Sequence, residues 1–364
     1  MSDKIRVAVV GATGVAGQQF LAALPGHPHF QVVKLAASAR AAGKRYADAL
    51  RDERGASRWC LPGAPDPSIA SLIVEDGAAM TSDGVDLVFS AVEADIAREL
   101  EPRLAADVPV VSTASAFRYD DDVPVFLPAV NLDHAALIDV QRRRRGWRGF
   151  ITPGPNCTTT GLVITLKPIL DTFGLRRVVM TSLQSCSGAG RSPGVIGLDI
   201  IDNVIPYIPK EEEKVEKETR KLLGSISPSG VAPLALPVSC TCTRVPVLEG
   251  HTEAVFVETE RPAPLEAVRA ALTGFGQDFL RLGLPSAPRQ LIEVLDDPFR
   301  PQPRLDRDSG AGMTTVVGRL RPETALGAHG VKYVLVSHNT RMGAATGAIL
   351  IAEYLTRQGL VARR

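Results

Sequence analysis

Asn156 and Cys157 stand in the stretch TPGPNCTTTGLVITLKPIL, residues 152–170, directly ahead of three threonines and an apolar run spaced like a helix. Pro153, Gly154 and Pro155 halt regular structure before them, so the spacing predicts a cysteine in the first turn of a helix that runs to about Phe173. A helix N-terminus carries roughly half a positive charge, which favours thiolate over thiol and makes such a sulfur nucleophilic near neutral pH. The plainer alternative is a small buried hydrophobe ahead of an amphipathic helix.

A second group of residues with chemical meaning opens the chain. Residues 5–10, IRVAVV, read as a buried strand, and GATGVAGQQFLAAL follows at once with helical spacing. In such a strand-to-helix turn Gly11 permits the tight bend, Gly14 lets the backbone approach a pyrophosphate, and Gly17 permits close packing of helix on sheet. The backbone N–H groups around Thr13, Val15 and Ala16 then face the anion. The alternative is a purely structural βα turn. After the second strand, QVVKLAAS, the segment ASARAAGKR supplies Ser38, Arg40, Lys44 and Arg45, with no acid before Asp48. An NAD site carries a carboxylate there for the ribose 2′-hydroxyl, whereas cations suit a 2′-phosphate, so the cofactor expected is NADP.

The elements that must position these residues fall into two groups. The chain has 364 residues, 45% hydrophobic and 22% charged, with a net charge of +1, enough for two domains with sizeable cores. Strands DLVFSAV (86–92) and VPVVSTA (108–114) continue the alternation of a parallel sheet covered by helices. After Cys157 come RRVVMTSLQSCSG, LALPVSCTCTRVPV and TEAVFVE with fewer intervening helices, which reads as an α+β domain on a mainly antiparallel sheet. The division expected is 1–156 for dinucleotide binding and 157–339 for catalysis and dimerisation, with a small-residue helix in 340–364 packing back on the first domain.

Several function classes drop out. The near-neutral charge offers no basic face, and the run Arg142–Arg145 before Gly146 fits a helix C-terminus, so nucleic acid is not expected. No apolar run is long enough to span a membrane and the N-terminus enters a strand directly, so a cytoplasmic protein is expected. Five cysteines make no disulfide framework, and Cys240-x-Cys242 has no second Cys/His pair at zinc-finger spacing, so no metal is expected.

The motifs GATGVAG, PNC, SLQSCSGAG, LDIIDNVIPYIPKEEEKVEKETRKLLG, RVPVLEGHTE and HNTRMGAATG, in that order and spacing, resemble aspartate-semialdehyde dehydrogenase, most closely the branch found in archaea and fungi. The resemblance runs nearly end to end. It implies an α/β protein with a Rossmann-type NADP-binding domain, a homodimer or homotetramer, and a place in lysine, threonine and methionine biosynthesis. The reaction implied is the reversible, NADPH-dependent conversion of L-aspartyl 4-phosphate to L-aspartate 4-semialdehyde and phosphate. Acyl transfer to a thiolate needs a nucleophile, an acid/base and an oxyanion stabiliser. The resemblance gives these roles to Cys157, to His251 and to the Cys157 N–H with Asn156. It makes Gln184 an active-site residue, sets Glu211 against the substrate amine, Lys214 and Arg118 against phosphate, and Arg244 against the α-carboxylate. It places Ser187, Gly188 and Asn339 at the cofactor.

Three points pull against a simple transfer. Thr113 stands where the family commonly has asparagine, and Arg191 and Ser192 where it more often has tyrosine and proline. A regular hairpin over Leu248–Gly250 would put Arg244 and His251 on opposite faces, so Gly250 must mark a bulge or irregular turn if both serve one site. The rival readings are an acyl-CoA reductase such as malonyl-CoA reductase, N-acetyl-glutamyl-phosphate reductase, and a non-catalytic NADP-binding regulatory protein. The first two substrates bring no free amine for Glu211, and intact Cys157 and His251 speak against the third.

Overall fold

The computed structural model describes residues 4–190, 197–227 and 230–364. Six short apolar strands build the first sheet: β1 (Ile5–Val10), β2 (Phe30–Ala37), β3 (Val74–Asp76), β4 (Leu87–Ser90), β5 (Val110–Ser112) and β6 (Ile151–Pro153). Their order is β3-β2-β1-β4-β5-β6 and every pairing is parallel. Parallel strands are covered on both sides, which is why β1 and β4 read as continuous apolar runs instead of alternating. Val7, Val9, Phe89 and Val111 face one core with Phe20 and Leu21 of the helix Val15–Ala23. Ala8, Val10, Val88 and Val110 face the other with Leu100 and Leu104 of the helix Ala94–Ala105. The strand order reverses between β1 and β4, which opens a crevice at their carboxyl ends where such sheets bind ligands.

The second sheet is larger. After β7 (Arg177–Gln184), a small antiparallel pair, β8 (Ser225–Ser227) and β9 (Gly230–Ala232), precedes β10 (Val238–Arg244), β11 (His251–Glu258), β12 (Ile292–Val294), β13 (Thr315–Pro322) and β14 (Gly330–Ser337). The order β10-β7-β11-β14-β13-β12 contains antiparallel pairs β7–β11, β11–β14 and β13–β14, while β7–β10 and β12–β13 are parallel, so the sheet is mixed. Its strands alternate buried and accessible residues. One face packs on the helix Cys157–Phe173 through residues such as Met180, Val255 and Leu335. The other leaves Val179 and Leu183 of β7 exposed.

This order removes the difficulty with Arg244 and His251. The strands β10 and β11 do not form a hairpin; β7 lies between them, parallel to one and antiparallel to the other. Arg244 pairs with Gln184, Thr252 with Leu183 and His251 with Ser337, so Arg244, Gln184, His251 and Ser337 form one row across the end of the sheet. The connection 245–250 crosses over the end of β7, and Gly250 takes a positive φ of 93° there.

The final helix spans Ala345–Arg357, and its Ala348, Ile349 and Ala352 join the core of the helix Val15–Ala23. Residues 338–344 form a turn ahead of it, not part of the helix.

Candidate active site

The carboxyl ends of the first sheet and the end row of the second enclose one cleft. Its walls include Val15 and Ala16, Thr113 and Arg118, Asn156 and Cys157, Ser187 and Gly188, Glu211 and Lys214, Arg244, and Asn339. Gln184 and His251 lie one layer beneath, and both are fully buried.

Cys157 is the first residue of its helix, after β6 and the Pro153–Gly154–Pro155 break. Asn156 caps that helix: its Oδ1 accepts from the N–H groups of Thr158 at 2.8 Å and Thr159 at 3.2 Å, satisfying two of the orphan donors of a first turn. Its Nδ2 donates to Glu211 Oε1 at 2.9 Å. The Asn156 side chain is therefore committed to holding the helix end and Glu211, not left open for an oxyanion.

Cys157 Sγ lies 3.1 Å from His251 Nε2. The other ring nitrogen, Nδ1, accepts the Ser185 backbone N–H at 3.1 Å, with Ser185 Oγ at 3.2 Å. A nitrogen that accepts an N–H carries no proton, so the neutral ring has its hydrogen on Nε2 and directs it at the sulfur. Gly188 permits this arrangement, because a Cβ there would sit 2.8 Å from Arg244 Nη1 and 3.0 Å from His251 Cε1.

Burial keeps both partners neutral. It pushes the Cys157 thiol up to about 12, with the Glu211 charge adding to the effect, and Arg244 and Arg118 pull the other way without offsetting it. Burial, then the charge of Arg244, brings His251 down to about 3. Burial thus opposes the ready thiolate expected from the helix N-terminus. A helix end contributes at most about 2 kcal/mol, and desolvation of the half-buried sulfur at the cleft wall outweighs it.

Around the sulfur the charges are held by named partners. Glu211 Oε1 also accepts from Gln184 Nε2 at 3.2 Å, while its Oε2 lies 3.8 Å from Lys214 Nζ. Both residues share the charged helix Glu211–Leu222, three positions apart and so on one side. Arg244 Nη1 donates to the Ser185 carbonyl at 2.8 Å and lies 3.5 Å from Gln184 Oε1. Arg118 is buried, its Nη2 donating to the Thr113 carbonyl at 2.9 Å. Thr113 Oγ1 in turn donates to the Ser90 carbonyl at 3.2 Å, so this departure from asparagine forms its own bond. Arg191 and Ser192, the other departure, lie outside the described residues.

The nucleotide side is built from the first turn. Gly11 has φ 76°, and a Cβ there would stand 2.3 Å from the Ala91 carbonyl oxygen; a Cβ on Gly17 would stand 2.2 Å from the Gly11 carbonyl oxygen. The helix after Gly14 has no side-chain cap, which leaves first-turn N–H groups beside Val15 and Ala16 for an anion. Thr13 belongs to the same turn, its carbonyl accepting Gln18 Nε2 at 3.0 Å. Ser38 and Arg40 stand exposed on the turn after β2, away from the sulfur. Asn339 ties the two loops at the cleft floor: its Oδ1 accepts from Ser185 Oγ at 3.1 Å and the Gly250 N–H at 2.9 Å, and its Nδ2 donates to Ser187 Oγ at 2.8 Å.

Three participants went unread in the sequence. Ser185 fixes the histidine ring through its backbone, which no side-chain pattern reveals. Gly343 lets the 338–344 turn approach the nucleophile, where a Cβ would stand 2.9 Å from Cys157 Cβ. Glu218, deep under the charged helix, accepts the Asn156 N–H at 2.6 Å.

Comparison with known proteins finds relatives along nearly the whole chain. A family model described as semialdehyde dehydrogenase, NAD binding domain, matches residues 6–138, and one described as semialdehyde dehydrogenase, dimerisation domain, matches residues 166–342. The chain is 45% identical over 352 residues to the aspartate-semialdehyde dehydrogenase of Methanothermobacter thermautotrophicus, covering 96% of this chain and 99% of that one. It is 40% identical over 375 residues to that of Saccharomyces cerevisiae, covering 99% and 100%. The crystal structure of aspartate semialdehyde dehydrogenase with NADP from Candida albicans superposes with a TM-score of 0.86 at 38% identity, covering 98% of this chain and 100% of that chain.

Proposed function

The chain belongs to the aspartate-semialdehyde dehydrogenase family, and from that premise we propose how its own residues carry the reaction. The enzyme reduces L-aspartyl 4-phosphate to L-aspartate 4-semialdehyde with NADPH, reversibly. The observation that carries the residue-level reading is the Cys157–His251 pair at 3.1 Å, in a cleft lined by Glu93 and by a set of four charged groups, Glu211, Arg118, Lys214 and Arg244. That set complements a substrate with one amine, one α-carboxylate and one phosphate.

Sγ attacks the acyl carbonyl, the C–S bond forms, and the bond to phosphate oxygen breaks. Phosphate leaves toward Lys214 and Arg118. Nε2 is the histidine nitrogen that faces the sulfur, so it shuttles the proton, giving one to the departing oxygen and taking the one that sulfur loses. The backbone N–H of Cys157 supports the oxyanion, with Asn156 holding that helix end in place. Glu211 receives the amine through Oε2, and Arg244 clamps the α-carboxylate with its planar fork. Gln184 touches neither carbon nor phosphate in this arrangement; it sets Glu211 and Arg244 relative to each other.

The residues fit NADP. Gly11, Thr13, Gly14, Val15, Ala16 and Gly17 form a bare, uncapped helix entrance that would take the pyrophosphate, and we assign the exposed Ser38 and Arg40 of the turn after β2 to the 2′-phosphate. Ser187, Gly188 and Asn339 line the cleft beside Cys157, where the nicotinamide belongs. When bound, it supplies the hydride that reduces the Cys157 thioester. His251 Nε2–H hydrogen-bonds to the resulting thiohemiacetal oxyanion; as C=O re-forms the C–S bond breaks, the semialdehyde leaves, and the Cys157 thiolate regains its proton from solvent.

We further place the domain division at 1–156 and 157–339, with 340–364 returning to the first. The protein is a homo-oligomer, and a dimer through the open face of the second sheet suits the exposed Val179, Leu183, Leu198 and Ile201. Val195 and Ile196 of the same apolar stretch lie outside the described residues. No helix among the described residues is long and apolar enough to cross a membrane, and we place the enzyme in the cytoplasm.

The test is phosphate-dependent NADP reduction with aspartate semialdehyde, run beside a CoA-dependent assay with malonate semialdehyde. Activity in the second and none in the first overturns the substrate while leaving the cysteine chemistry in place.

A further inference from the structure

The charged helix turns Glu211, Lys214, Glu218 and Lys221 to one side, three or four residues apart. The first two serve the substrate. The second two face the loop that carries Arg118. Glu218 has a fully buried side chain and spends both oxygens: Oε1 accepts from Arg118 Nη1 at 3.1 Å and Tyr119 Oη at 3.2 Å, and Oε2 accepts the Asn156 N–H at 2.6 Å. One turn on, Lys221 Nζ donates to the carbonyls of Arg118 and Asp120 at 2.8 Å and of Val123 at 3.0 Å.

One carboxylate thus joins the arginine on the phosphate side to the peptide immediately before the nucleophile. Arg118 is held on both terminal nitrogens, by Glu218 and by the Thr113 carbonyl, while its buried Nε has no partner and its side chain lines the cleft. A guanidinium fixed at one edge keeps its remaining N–H in a set direction, and expulsion of phosphate from the tetrahedral adduct at the acyl carbon depends on that direction. A carboxylate beside Arg118 also tempers its hold on a dianion that must be released.

We propose that Glu218 is a positioning residue for phosphate chemistry: it fixes the Arg118 fork and the Asn156–Cys157 peptide relative to each other, so that leaving group and sulfur stay aligned. This rests on the reading of Arg118 given above. A merely structural ion pair would hold the fold without moving any constant for phosphate.

The experiment uses the full-length enzyme in the oxidative direction, with phosphate varied. Glu218→Gln should raise the KM for phosphate at least about tenfold and lower kcat by a similar factor, with the KM for NADP changed less than twofold. Glu218→Asp keeps the charge, and so the ion pair needed for folding, but is too short to reach Arg118 and Asn156 together; it should raise the phosphate KM about fivefold or more. Combining Glu218→Gln with Arg118→Leu should leave the phosphate KM no higher than Arg118→Leu alone, because the two groups act as one unit. A phosphate KM within twofold of the native value in both single variants, or effects that multiply in the double variant, overturns the proposal. A native enzyme with no phosphate-dependent activity overturns the substrate reading and this inference with it; a native enzyme with that activity and indifferent Glu218 variants overturns this inference alone.

Discussion

Alkylation of Cys157 in the free enzyme should accelerate about tenfold per pH unit between pH 7 and 9, without levelling off. The reasoning starts from a thiol pushed up to about 12 by burial and the neighbouring Glu211 charge, beside a histidine kept neutral by burial and Arg244. At pH 7.5 roughly one sulfur in 30,000 is then ionised, and the thiolate fraction follows pH one for one. Replacing Glu211 by Gln removes the one anion that raises this thiol. Glu211→Gln should therefore speed alkylation at fixed pH, about tenfold for each pKa unit by which it lowers the thiol. Arg244→Leu should slow it, since that cation favours the thiolate. Iodoacetamide labelling followed by mass spectrometry of the Cys157 peptide separates this site from Cys60, which is exposed and also reacts. A plateau reached below pH 8, or no response to Glu211→Gln, would refute the reasoning and show a preformed thiolate–imidazolium pair.

His251→Ala should lower turnover on the order of a hundredfold, as for loss of general acid/base help; a near-normal rate and pH profile would make the ring structural. Arg40→Ala should weaken NADPH binding by roughly 1–3 kcal/mol, the scale of a charge-assisted hydrogen bond, and leave NADH nearly untouched; fluorescence titration with both cofactors decides it. Glu253 is fully buried on β11, neither carboxyl oxygen has a hydrogen-bond partner, and burial holds it protonated well above the usual carboxylate range. The native state therefore keeps a proton that the unfolded chain releases, and stability from this site falls by about 1.4 kcal/mol per pH unit once the unfolded carboxylate ionises, until the native group does too. Glu253→Gln should raise Tm at pH 8 more than at pH 5, and parallel pH slopes for variant and native protein would contradict this.

What the sequence shows well is what local chemistry dictates. The strand β1 is apolar apart from Arg6 because both its faces are covered, Gly11 takes the positive φ of a tight turn, and Gly17 is forced by the Gly11 carbonyl within the same turn. The Cys157 helix begins where Pro153, Gly154, Pro155 and the Asn156 cap put it. What stays hidden is tertiary. The common face of Arg244 and His251 follows from β7 passing between their strands, and no local pattern of β10 or β11 contains that order. Glu218 sits in KEEEKVEKETRK, where a solvated helix laced with ion pairs has the same appearance. The segment SHNTRMGAATGAILIAEYL has helical composition throughout, yet its first residues form the turn that meets the nucleophile. The thiolate expectation weighed a helix end, which is local, without the burial that only the assembled cleft imposes.

The central claim is that Cys157 forms a thioester from an aspartyl group and exchanges it with phosphate. The most direct measurement is NADPH formation by the purified native protein and its Cys157→Ala variant, with aspartate semialdehyde and NADP, as phosphate is varied. The expected result is saturable, phosphate-dependent NADPH formation in the native enzyme, none in the variant, and NADPH binding retained by both. Substantial turnover in Cys157→Ala, or a native protein that ignores aspartate semialdehyde while reducing malonyl-CoA, would contradict it.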